Sequence, residues 1–144
     1  MTAHEQVWAK VNAPVDRGVV GLVEALSLFR GLETVESCEG NDREAIWICF
    51  RYGRYWVQPW QELAEFVFEF LAPRLLQKVG DNATIIVRPR EGTALADLSI
   101  RPEAKREVED ALRKLAVEFS DAPHRSSVYE NRRRGTEGKI GKSP

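Results

Sequence analysis

The stretch from Gly31 to Gly40, Gly-Leu-Glu-Thr-Val-Glu-Ser-Cys-Glu-Gly, gathers the groups in this chain that could do chemistry. A hydroxyl at Ser37, a thiol at Cys38 and the N–H groups of a loop around Gly40 could hold an anion or a small polar ligand. Thr34 and Glu36 precede them, and Asp16 and Arg51 are charged groups that neighbouring elements could bring alongside. The candidate ligand-binding residues are therefore Asp16, Thr34, Glu36, Ser37, Cys38, Gly40 and Arg51. A catalytic thiolate needs a base or a cation beside it. The immediate neighbours of Cys38 are instead the anions Glu36 and Glu39, which Arg43, Arg51 or Arg54 would have to offset. The same residues also read as a tight strand end, with Ser37 bonding the backbone and Cys38 a small buried hydrophobe. Asp16 reads either as a helix N-cap or as a site carboxylate.

Upstream of this stretch, Pro14-Val15-Asp16 is expected to open a helix with Val19, Leu22, Val23, Leu26 and Phe29 on one face and Gly31 as its stop. Gly18 and Gly21 within it each cost about 1 kcal/mol against Ala, which suggests close approach to a neighbour. Leu32 to Cys38 and Ala45 to Tyr52 read as a hairpin across a Gly-Asn-Asp turn. Pairing Cys38 with Ala45 puts Val35, Ser37, Ile46, Ile48 and Phe50 on the core side. Thr34, Glu36, Cys38, Trp47, Cys49 and Arg51 then take the other. In that register Cys38 and Cys49 are four residues apart, on the order of 13 Å, so both are expected as free thiols.

A second helix is expected from Pro59 with Leu63, Phe66, Val67, Phe70 and Leu71 on its stripe, kinked at Pro73 and continued by Leu75, Leu76 and Val79 to Gly80. Ala83 to Arg88 and Leu95 to Arg101 read as a second hairpin, with Ile85 and Val87 facing Leu98 and Ala96. Thr84, Arg88, Asp97 and Ser99 fall on the opposite side with Ile86 and Leu95. Pro102 starts a third helix whose stripe is Ala104, Val108, Ala111, Leu112, Leu115 and Phe119. The predicted class is α+β in the order α-β-β-α-β-β-α, an antiparallel sheet with helices packed on one face in a two-layer sandwich. Residues 1–13 form an N-terminal segment, 14–120 a single domain, and 121–144 a basic tail expected to be disordered. The second face of the sheet is either wet and available to a partner or covered in a homodimer.

No second cluster completes a catalytic set. The two histidines, His4 and His124, lie in terminal segments, so a histidine zinc site or a Ser-His-Asp triad is not expected in the folded body. Neither a metal nor a cofactor is expected. Trp47 to Trp56, with Trp60, interleaves aromatics and arginines that could stack bases, although strand propensity explains the same composition. From Asp121 onward six basic side chains face three acids, a local +3 that leaves −4 on residues 1–120 within a net charge of −1. An acidic body with a basic tail predicts only weak, salt-sensitive contact with nucleic acid through the tail. Composition, 43% hydrophobic and 30% charged, is that of a soluble globular protein. No apolar run reaches the ~18 residues a membrane span needs. With no signal-like N-terminus, a cytoplasmic location is expected.

Pro14-Val15-Asp16, the helix ending at Gly31, and Gly-x-x-Thr-x-x-Ser-Cys-x-Gly over 31–40 resemble a family of small uncharacterised bacterial and phage proteins. The Ser-Cys-x-Gly ending is also distantly similar to the wybutosine-synthesis methyltransferase family, where a helix and strand lead into Ser-Cys-Ser-Gly-Arg. Ser37, Cys38 and Gly40 match, while Glu39 stands for the second Ser and Asn41 for the Arg. That likeness is local and carries no methyltransferase activity over. The leading expectation is a small cytoplasmic binding module that uses the Ser-Cys-Glu-Gly loop and the open sheet face for a small polar ligand or a protein partner. The alternative is an enzyme or RNA-modification relative working through Asp16, Ser37 and Cys38.

Overall fold

The computed structural model describes residues 6–8, 14–40, 45–53, 58–90 and 92–121. Strand β1, Gln6–Trp8, pairs antiparallel with β2, Pro14–Asp16. This corrects the expected helix opening: Pro14-Val15-Asp16 is extended because its backbone is used by an upstream strand, and the helix begins only after it. A 3-10 turn, Arg17–Val19, leads into α1, Val20–Ser27. Val19, Leu22, Val23, Leu26 and Phe29 are all buried, as their spacing requires. The chain then reverses at Gly31, where φ is +95° and a Cβ would stand 3.1 Å from the Gly53 carbonyl oxygen. Only a residue without a side chain meets both demands.

Strands β3, Leu32–Cys38, and β4, Ile46–Tyr52, form the first hairpin; β5, Ala83–Arg90, and β6, Thr93–Ile100, form the second. They assemble as one antiparallel sheet in the order β3-β4-β6-β5, so the second strand of each hairpin is central. Ile85 pairs with Leu98 and Val87 with Ala96, the register that their alternation predicts. The strands run further toward the turn than expected, to Arg90 paired with Thr93.

The first hairpin departs from its expected register. Cys38 lies opposite Trp47 rather than Ala45, and Cys49 opposite Glu36 rather than near Thr34. A bulge between Thr34 and Glu36 accommodates Val35 as an extra residue. Val35 is consequently 44% exposed instead of lining the core, and Thr34, opposite Phe50, takes the core side. Both cysteines are free thiols, two residues out of register rather than four.

Between the hairpins, α2, Pro59–Glu65, and α3, Ala72–Val79, are joined without a break by a π-helical stretch, Phe66–Leu71. Pro73 explains the wide turn. It has no N–H to give the Glu69 carbonyl, and the carbonyls of Glu69 and Phe70 accept instead from Arg74 Nη1, each at 3.2 Å. Ala72 N–H reaches back to Val67 O, an i→i−5 bond. The rotated face buries Leu75 and Val79 but leaves Leu76 62% exposed, against expectation.

A 3-10 turn, Pro102–Ala104, precedes α4, Lys105–Asp121. Its whole expected stripe from Ala104 to Phe119 is buried against α1 and α3. The core lies between this helical layer and the sheet face carrying Ile46, Ile48, Phe50, Ala96, Leu98 and Ile100. The fold is thus a two-layer α+β sandwich. The expected tail beyond Asp121, the Asn41-to-Glu44 turn and the 54–57 part of the aromatic-arginine stretch lie outside the described residues. Among the described residues no helix is long and apolar enough to cross a membrane.

Candidate functional site

Gly40, two residues beyond the end of β3, is buried with φ +66°, a left-handed conformation that glycine adopts without steric cost. Beside it two carboxylates, Asp16 and Glu39, each accept a backbone N–H from the other segment. Asp16, only 4% exposed, accepts the Glu39 N–H on Oδ2 at 3.1 Å. Glu39 in turn accepts the Gly18 N–H on Oε2 at 2.8 Å. Asp16 therefore makes no side-chain cap to its own helical turn; Glu39, from 21 residues away in sequence, satisfies the free Gly18 N–H. Gly18 is small for this reason, since a Cβ would come within 3.0 Å of Glu39 Cβ. Gly21 makes the equivalent close approach to Glu109 of α4, whose neighbour Arg113 donates to the Gly21 carbonyl at 3.5 Å.

Ser37 and Cys38, adjacent on β3, project to opposite faces. Ser37 is opposite Ile48 on the helix side, and Cys38 opposite Trp47 on the open side. The open face carries a row across the sheet: Glu36, Cys49, Asp97 and Ile86 lie on successive strands. Arg88 Nε donates to Asp97 Oδ2 at 2.5 Å, with Nη2 3.5 Å from Oδ1. One strand further, Arg51 Nε donates to Glu33 Oε2 at 2.7 Å. Thus Arg51 is held by Glu33, Glu36 faces the Cys49–Asp97–Arg88 group, and Thr34 belongs to neither set.

Cys49 is fully buried on this face, and Leu95, opposite Arg88, is 4% exposed. Its thiol is pushed up to about 11, first by burial, then by the charge and hydrogen bond of Asp97 and the charge of Glu36, with Arg88 acting the other way. The hydrogen bond to Asp97, and then the Asp97 charge, in turn push the Arg88 guanidinium up from its usual value. The Cys49–Asp97–Arg88 group was not among the candidates from sequence. Its signal was present in the second hairpin, where Arg88 and Asp97 fall on one face at diagonal positions. Glu39 was likewise missed as a partner of Gly18.

A thiol that ionises late when folded makes stability depend on alkaline pH. An unfolded cysteine titrates at about 8.5, so between there and about 11 the unfolded chain holds fewer protons than the native one. Stability is complete below that window and falls as pH rises through it, by on the order of 2 kcal/mol at its upper end. Urea unfolding of the native protein and Cys49→Val at neutral pH and at about pH 10.5 checks this. The variant should lose less, and equal losses would place the thiol's environment elsewhere.

Among the described residues no group of three or more His, Cys, Asp or Glu could hold a metal ion. Comparison with protein-family models, with curated proteins and with solved structures finds no match.

Proposed function

We propose that this protein is a small non-catalytic binding module of the cytoplasm whose contact surface is the open face of the sheet, rimmed by the Ser-Cys-Glu-Gly loop. The carrying observation is the disposition of charge. The open face presents the fixed pairs Glu33–Arg51 on β3 and β4 and Arg88–Asp97 on β5 and β6, with Glu36 on one edge strand and Ile86, 63% exposed, on the other. Asp16 and Glu39, two carboxylates that could have served Cys38, are each bonded to backbone N–H groups. Ordered charge pairs around an exposed apolar residue suit recognition of a polar ligand or a complementary protein surface, a second copy of the chain included. Free cysteines accord with a reducing compartment.

Chemical-shift mapping on the full chain tests this, using a panel of small carboxylates, amides and short peptides and a protein-dilution series. Shifts should gather at Glu36, Arg51, Ile86, Arg88, Asp97 and Ser99. Cys38 should react with iodoacetamide no faster than a free cysteine. Alkylation many-fold faster, or ligand shifts confined to Asp16, Ser37 and Cys38, would favour an enzyme instead.

A further inference from the structure

The tip of the second hairpin and the start of α2 enclose a cleft of about 520 Å³ lined by Trp60, Pro89, Arg90, Gly92 and Thr93. None of the Asp16–Glu39 clasp, nor of the Glu36–Cys49–Asp97 row, belongs to it. Trp60 is 54% exposed, leaving much of a rigid, flat, polarisable side chain uncovered. Arg90 is exposed at the end of β5, directly across from Thr93. Arg51 and Arg88, the other arginines of the sheet, are each neutralised by a carboxylate. Arg90 has no carboxylate partner among the described residues.

This is an unusual pairing of properties in one concavity. Trp60 and Pro89 favour a flat apolar group, while the exposed Arg90 guanidinium, without a carboxylate partner among the described residues, favours an anion that can take two parallel hydrogen bonds. The Thr93 hydroxyl supplies a further donor or acceptor. We infer that this cleft binds a planar aromatic anion of low molecular weight, its ring against Trp60 and its phosphate or carboxylate on Arg90. A mononucleotide and an aromatic carboxylic acid share that chemistry. None of the residues on which the open-face proposal rests lines this cleft, so the two proposals can fail independently.

The test uses the full-length, nitrogen-15-labelled protein, in which the indole N–H signals of the four tryptophans are counted and that of Trp60 is assigned by its loss in Trp60→Leu. AMP and indole-3-acetate are titrated as the two anion sources, with adenosine and inorganic phosphate as ligands lacking one half of the chemistry. At least one anion should shift the Trp60 indole and the Arg90 and Thr93 amides saturably. Adenosine and phosphate should each bind about tenfold more weakly or worse. Trp60→Leu and Arg90→Gln should each weaken binding about tenfold, with melting temperature unchanged because both side chains are exposed. Trp60→Phe, which keeps a flat ring, should retain most of the affinity. The stronger of AMP and indole-3-acetate identifies the anion. Absence of saturable shifts with either anion, adenosine binding as well as AMP when AMP is the stronger, or an Arg90→Gln protein that binds normally would each overturn the inference.

Discussion

Phe66→Ala should lower the unfolding free energy by about 4 kcal/mol, the largest loss expected from a single substitution in this protein. Phe66 is fully buried and its ring is shared by every layer of the core. It stacks on Tyr52 at the end of β4, 4.2 Å between centroids and 4° from parallel. It meets Phe29 edge-on at 5.6 Å and Phe119 of α4 at 5.4 Å. Truncation removes the transfer energy of the ring, leaves a cavity that four elements line, and deletes aromatic pairs worth about 1 kcal/mol each. Phe68, two residues along the same π-helical stretch, is 60% exposed, and Phe68→Ala should cost within about 0.5 kcal/mol. Urea unfolding of the two variants, with unchanged slope against denaturant, measures the contrast. Similar losses at the two positions would mean that the wide turn before Pro73 does not orient the helix as described.

The elements that sequence made legible are those whose apolar residues repeat strongly. Val19 to Phe29 and Ala104 to Phe119 are buried stripes at helical spacing, and Ile85 and Val87 find Leu98 and Ala96, because a one-residue slip would turn each set to water. Strand β3 lacks such a constraint. Between Leu32 and Cys38 its one further aliphatic residue is Val35, too little to correct the pairing of Cys38 with Ala45 that put Val35 on the core side. An edge strand with so weak an alternation can hold a bulge, and here the bulge puts Val35 in solvent. Leu76 failed for a different reason: a spacing rule of 3.6 residues does not carry through a π-helical stretch. At the candidate site, residue type was readable and partnership was not. Asp16 has the chemistry of an N-cap, but its partner is the Glu39 N–H, 23 residues away, a pairing that only the tertiary fold creates.

That pairing gives the second large expectation. Asp16→Ala should cost about 3 kcal/mol, since it removes a nearly buried acceptor and leaves the Glu39 N–H without it. Glu39→Ala should cost about 1.5 kcal/mol through the Gly18 N–H. The two bonds close one ring: Asp16 fixes the backbone of Glu39, which aims the carboxylate that holds Gly18, two residues beyond Asp16. Once either bond is lost the other is poorly positioned, so the double variant should cost about 1 kcal/mol less than the sum. Urea unfolding of the four proteins gives the cycle, and amide exchange at Gly18 and Glu39 gives an independent reading, rising in both single variants. Strict additivity would show two unrelated bonds rather than a clasp. Asp16→Asn separates structure from chemistry, because the amide oxygen can still accept the Glu39 N–H while the charge is gone. If Asp16 serves the fold, Asn should recover much of the stability that Ala loses and leave ligand shifts on the open face unchanged. If instead Asn kept the fold intact and abolished an alkylation-sensitive activity of Cys38, the carboxylate's charge would be serving a reaction and the binding-module proposal would fail.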